Sequence, residues 1–153
     1  MYAYYYTCID GASSGSRRIQ SVGTPYRGTH LAGTLAILGG TFGQGCGYNH
    51  DLTERVADKW LSNISYLARS EVNYYTTSFG DGWGWYDYCN IATDMFLDNP
   101  EDGAVEKSRG QLSGANNRGH TLGQCHSKGS GWTLTHQCED YWRNQEMNSQ
   151  ARY

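Results

Sequence analysis

The residue types with the clearest chemical capacity sit in Gly82-Trp83-Gly84-Trp85-Tyr86-Asp87-Tyr88. Aromatic faces stack on sugar rings and neighbouring carboxylates accept hydroxyl hydrogen bonds, so Trp83, Trp85, Tyr86, Asp87 and Tyr88 are candidate binding residues for a surface glycan or receptor. In a strand, Trp83, Trp85 and Asp87 share one face and Tyr86 and Tyr88 the other, and a buried aromatic face explains the same pattern. Glu71, Asp81 and Asp87 flank this segment, and two of them at roughly 5 to 10 Å would form the acid pair of a glycosidase. His120, His126 and His136 stand near Cys125 and Cys138, but their spacings lack the short pairs of zinc sites. No metal or cofactor is implied.

Arg27-Gly28-Thr29-His30-Leu31-Ala32-Gly33-Thr34 is similar to the histidine motif of subtilisin-like proteases, and Cys8-Ile9-Asp10-Gly11 resembles their strand-end aspartate. That chemistry needs a serine within reach of the imidazole. No Gly-Thr-Ser-Met-Ala-like segment is present, so His30 is expected to be a buried or capping imidazole. Gly43-Gln44-Gly45-Cys46-Gly47 matches no dinucleotide fingerprint and reads as a tight turn.

Positioning these groups requires a scaffold. Asp51 and Glu54 form a capping-box pattern, and Val56, Ala57, Trp60, Leu61, Ile64, Leu67 and Ala68 recur on one face. Arg55, Asp58, Ser62, Ser65 and Arg69 lie opposite, which predicts an amphipathic helix over about 51–70. Tyr2–Ile9, Val72–Phe79, Trp83–Asn90 and Trp132–Cys138 read as strands, the middle two as a hairpin across Gly80-Asp81-Gly82. The expected fold is α+β: one domain over 1–153, an antiparallel sheet packed by one main helix, stabilised by disulfides. Residues 11–21 are expected to be a flexible segment, and the Gly-, Ser- and Asn-rich stretch 101–131 a long loop.

The chain has 153 residues and a formal charge of −3, with its arginines scattered. Without a basic stripe there is no electrostatic footprint for nucleic acid. Its most apolar stretch, Leu31–Leu38, is far shorter than the ~20 residues of a membrane span. The first residues lack the basic head and apolar run of a signal peptide, which leaves a cytosolic chain or a mature form behind an added Met. Five cysteines, Cys8, Cys46, Cys89, Cys125 and Cys138, are spread in the manner of long-range bridges. Two bridges leave one thiol over, free or joined to a partner chain. Asn63-Ile64-Ser65 is an N-glycosylation acceptor and Arg17-Arg18 a dibasic processing site. Together these features favour secretion.

Asn73-Tyr74-Tyr75, then six residues, Gly82, Trp83 and Trp85, preceded by a helix ending near Ala68, resemble the wall-binding chain of two-chain yeast killer toxins over about a fifth of the chain. That resemblance implies a secreted fungal protein, matured at a dibasic site, that recognises a cell-surface glucan. It lacks the family's hydrophobic membrane-active chain. The leading expectation is therefore a secreted toxin- or effector-like binding protein. A small secreted hydrolase using histidine and carboxylates, and a structural component of a secreted assembly, are the alternatives. A histidine beside a carboxylate would favour the hydrolase.

Overall fold

Val72–Ser78 is the strand on which the rest of the described structure is hung, because all seven of its residues are buried. The protein is represented by a computed structural model that describes residues 18–32, 49–78, 97–98, 100, 102–126, 135–136 and 139–151. The strands are β1 Ile19–Val22, β2 Val72–Ser78, β3 Asn116–Leu122, β4 Gln124–Cys125 and β5 Thr135–His136. The helices are α1 Glu54–Ser62, α2 Tyr66–Ser70 and α3 Tyr141–Ala151, with a 3-10 turn at Asn49–Leu52.

The sheet order is β1-β2-β3 and both pairings are parallel, with Ile19 opposite Val72 and Thr76 opposite His120. The antiparallel expectation is thereby corrected. Parallel neighbours need a long crossover, and α1 and α2 form the one from β1 to β2. β2 does occupy Val72–Ser78, but the strands hydrogen-bonded to it are β1 and β3. The second half of the expected hairpin, and Tyr2–Ile9, lie outside the described residues. β3 falls inside the stretch expected to be a loop, and β1 takes up Ile19 to Ser21 of the segment expected to be flexible. β4 and β5 form a separate parallel pair.

The helix predicted over 51–70 forms, but as two pieces. Thr53 is the N-cap of α1, without a side-chain cap, while Asp51 belongs to the 3-10 turn. Asn63 closes α1, and Ser65 restarts the chain by accepting a hydrogen bond on Oγ from the Ala68 N–H at 3.2 Å. The break turns α2 relative to the predicted stripe: Leu67 is exposed and Arg69 is buried. Leu61, Ile64 and Ala68 pack with Val72, Tyr74, Tyr26 and Leu112, with Trp60 and Ile19 at the margin. Tyr26 meets Tyr74 edge to face at 6.5 Å.

α3 packs at the sheet through Gln20, whose amide donates to the Met147 carbonyl at 2.7 Å, and through Arg118, which reaches Gln150. Asp140 caps it, accepting from the Arg143 N–H at 3.1 Å and the Thr121 hydroxyl at 2.9 Å. Burial raises the Asp140 pKa, but these hydrogen bonds and the Arg143 charge outweigh it and leave the carboxyl below its ordinary range.

Candidate functional site

The carboxyl ends of parallel strands are where open sheets bind ligands, since the loops there diverge and leave a crevice. In this chain Ser78 ends β2 and Leu122 ends β3, and the Gly123 N–H donates to the Ser78 carbonyl at 2.9 Å. Three histidine side chains are described, and each is engaged by partners distant in sequence.

His126 follows β4. Its Nδ1 lies 3.1 Å from Asp102 Oδ2, and its N–H donates to the Asp102 carbonyl at 2.6 Å. Asp102 is 1% exposed and held on every side: the Thr77 hydroxyl donates to Oδ2 at 2.9 Å, and the Ala104 and Val105 N–H groups donate to Oδ1 at 3.1 and 2.8 Å. The hydrogen bond to Asp102 raises the His126 pKa above its ordinary value, against the opposing effect of burial.

The segment from Asp102 to Gly110 carries a second acid, Glu106, which is also 1% exposed. Its Oε1 lies 3.0 Å from His30 Nδ1, and Asp98 lies 3.6 Å from the same nitrogen. Glu54 at the start of α1 contacts His30 Nε2 and pairs with Arg109 at 2.6 Å. His30 is therefore part-exposed among three carboxylates rather than buried among apolar groups. The contacts tie the 29–32 turn to α1 and to the 102–110 segment, aided by the Thr29 hydroxyl donating to the Ala104 carbonyl at 2.8 Å.

His120, on β3, sits between two hydroxyls of β2: Thr76 Oγ1 is 2.9 Å from Nδ1 and Ser78 Oγ is 2.9 Å from Nε2. Burial lowers its pKa, helped by the Lys107 charge and opposed by a hydrogen bond at Thr76. A cavity of about 320 Å³ opens elsewhere, lined by Arg27, Arg69, Tyr74 and the 108–113 turn. It contains no acid–base pair, so the histidine contacts carry more chemical information than the cavity does. Among the described residues no group of three or more His, Cys, Asp or Glu is arranged to hold a metal ion.

Of the residues singled out from sequence, Trp83, Trp85, Tyr86, Asp87, Tyr88, Asp10, Asp81, Arg17 and four cysteines (Cys8, Cys46, Cys89 and Cys138) lie outside the described residues. Cys125 is fully buried and disulfide-bonded. Asn63 is exposed at the end of α1, and Arg18 is exposed just before β1. Glu71 is fully buried after α2, far from the role of a surface acid. His136 lies in β5, where its backbone is the register partner of Cys125. Sequence reasoning missed Asp102, Glu106, Thr76 and Ser78. Only Asp102, opening Asp102-Gly103-Ala104-Val105, had a local signal, an acid placed to bond the next backbone N–H groups.

An exposed aromatic pair opens α3. Tyr141 and Trp142 meet edge to face at 5.3 Å and are 63% and 81% exposed. The Thr121–Asp140 hydrogen bond brings the end of β3, with exposed Leu122, close to this pair. Among the described residues no helix is long and apolar enough to cross a membrane.

Comparison with solved structures shows a similar fold in Bacillus licheniformis lipase BlEst2. The mature form matches with a TM-score of 0.54 and 19% identity over 86% of this chain and 54% of that chain. The propeptide form matches with 0.55 and 18% identity over 86% of this chain and 29% of that one. At this identity the likeness concerns the fold alone. In sequence, the chain is 37% identical over 149 residues to conditioned medium factor from Dictyostelium discoideum, covering 97% of this chain and 21% of the relative. It thus spans about a fifth of that protein's length. These findings overturn the killer-toxin resemblance, which rested on aromatic residues too common to mark a family. The family model for the conditioned medium factor C-terminal domain matches residues 1–151, and the chain belongs to that family.

Proposed function

We propose that this chain is the C-terminal part of a secreted factor and recognises a component of the cell surface through the aromatic face that opens α3. The observation carrying the reading is the 37% identity, across nearly the whole chain, to a protein whose name places it in conditioned medium. The exposed Tyr141 and Trp142 supply a physical means of recognition. Side chains this exposed contribute little to folding, yet burying roughly 150 Å² of aromatic surface against a partner contributes about 4 kcal/mol. Aromatic anchors of this kind dominate many interfaces.

In its sharper form the component is a glycan, whose sugar faces stack on indole and phenol rings. Trp83, Trp85, Tyr86, Asp87 and Tyr88 belong to the same proposal as a second aromatic element. Fluorescently labelled chain, applied to Dictyostelium discoideum cells and separately to insoluble polysaccharide, tests both levels. Tyr141→Ala/Trp142→Ala should leave the melting temperature nearly unchanged and lower cell retention at least about 10-fold. Equal retention of wild type and variant removes the α3 face from the reading. Retention on cells without retention on any polysaccharide removes the glycan and keeps a protein receptor.

A further inference from the structure

The cavity beside the 108–113 turn has no acid–base pair, but its lining carries two guanidinium groups and no carboxylate. Its floor is buried, with Leu61, Leu112, Tyr74 and Arg69 each at most 8% exposed. Its rim, which includes Arg27, Gln111 and Ser113, is exposed. An arginine presents five N–H donors in a planar fork. Arg69 commits three of them to the Ile64, Leu61 and Ser113 carbonyls, so two remain. Arg27 donates Nε to the half-exposed Asp58 at 3.2 Å, and among the described residues nothing accepts from its terminal nitrogens. An exposed pair of this kind holds its arginine only weakly. Tyr74 is 7% exposed, yet among the described residues no group bonds its hydroxyl. A buried phenol ordinarily has a hydrogen-bond partner, so this one is left for a guest in the cavity.

We propose that this cavity binds an anionic monosaccharide, its carboxylate or phosphate group taken by the remaining N–H groups of Arg27 and Arg69. Guanidinium forks match the geometry of both oxyanions. The Tyr74 hydroxyl, the Gln111 amide and the Ser113 hydroxyl bond the sugar hydroxyls, while Leu61 and Leu112 meet its C–H face. At about 320 Å³ the cavity lies at the small end of the roughly 300–1,000 Å³ typical of ligand pockets, which suits a single sugar ring. The site shares no residue with the Tyr141–Trp142 face and does not rest on recognition through it.

Isothermal titration calorimetry of the whole chain at low salt, with glucuronate, galacturonate, glucose 6-phosphate, glucose and inorganic phosphate, tests this. At least one of the three anionic sugars should bind at one site with a Kd below about 1 mM, and glucose should not bind. Which of them binds separates carboxylate from phosphate. Arg27→Gln should weaken binding at least ~10-fold, because a charge-assisted fork is lost. Tyr74→Phe should weaken it about 3-fold and leave the melting temperature unchanged, since the hydroxyl has no protein partner to lose. Tyr141→Ala/Trp142→Ala should bind as wild type does. Binding of none of the anionic sugars, equal binding of glucose, or wild-type affinity in folded Arg27→Gln overturns the proposal. Inorganic phosphate bound as tightly as glucose 6-phosphate, with neither uronate bound, reduces the cavity to an ion site and overturns it too. Should Arg27→Gln fail to fold, Gln111→Ala in the exposed turn replaces it, with binding weakened about 3-fold expected and wild-type affinity overturning the proposal.

Discussion

Replacing Arg69 by Ala tests the helix break most directly. On the sequence pattern Arg69 belongs to the polar face, where truncation costs under about 0.5 kcal/mol. In the structure it is 8% exposed and its guanidinium reaches back to the end of the preceding helix. Nε donates to the Ile64 carbonyl at 3.0 Å, one terminal nitrogen to the Leu61 carbonyl at 2.6 Å, and the other to the Ser113 carbonyl at 3.3 Å. Leu61 lies in the last turn of α1, where carbonyls lose their intrahelical partners; its carbonyl accepts the Ile64 N–H at 3.0 Å as well as Arg69, and Ile64 follows just beyond the helix. A cation there also meets the negative end of the helix dipole. Arg69 further stacks over the Tyr66 ring at 4.9 Å. Hydrogen bonds to a charged donor contribute roughly 1.5 to 3 kcal/mol each, and relaxation and water recover part of the loss. Arg69→Ala should therefore destabilise the chain by about 3 kcal/mol, and Arg69→Lys by roughly half that, since one ammonium cannot span three carbonyls. Urea melts of the three proteins at pH 7 measure this. A cost of about 0.5 kcal/mol or less for Arg69→Ala would show that α1 and α2 form one continuous helix with Arg69 in solvent.

Gly28 has φ of +75°, and a Cβ there would stand 2.6 Å from the Leu52 carbonyl oxygen and 2.8 Å from the Glu54 nitrogen. Gly28→Ala should cost more than about 2 kcal/mol, read by the same melts, because both strain and backbone collision oppose it. The hydrogen bond to Asp102 raises the folded-state pKa of His126. Its stabilisation is fully present below the unfolded value near ~6.5 and is lost as pH rises through the higher folded value. Melts across that window should show stability falling in wild type and a flatter profile in Asp102→Asn, whose overall stability is lower; equal slopes would detach His126 from Asp102.

The sequence by itself determined those elements whose signal is local. The recurrence of Leu61, Ile64 and Ala68 located the helical region and the face that meets Val72 and Tyr74, because a helix brings residues three and four apart together. The β-branched and aromatic run from Val72 located β2 for a similar reason. Strand direction was not local. Tyr and Thr in β2 suggest a half-exposed strand in a hairpin, whereas a central parallel strand is buried on both faces, and its polar residues are tolerated where partners meet them, as at Thr77 with Asp102. β3, Asn116–Leu122, has no apolar alternation because it lies at the edge of the sheet among the described residues and stays largely exposed, so its pairing with β2 leaves no periodic trace. The same holds for the chemistry. Ser78 and His120 are 42 residues apart and meet only through the parallel register, and Asp102 finds His126 only because the chain returns past the end of β2. A single local choice, the break between α1 and α2, then carried Arg69 from the polar face into the interior, where three carbonyls rather than water satisfy it.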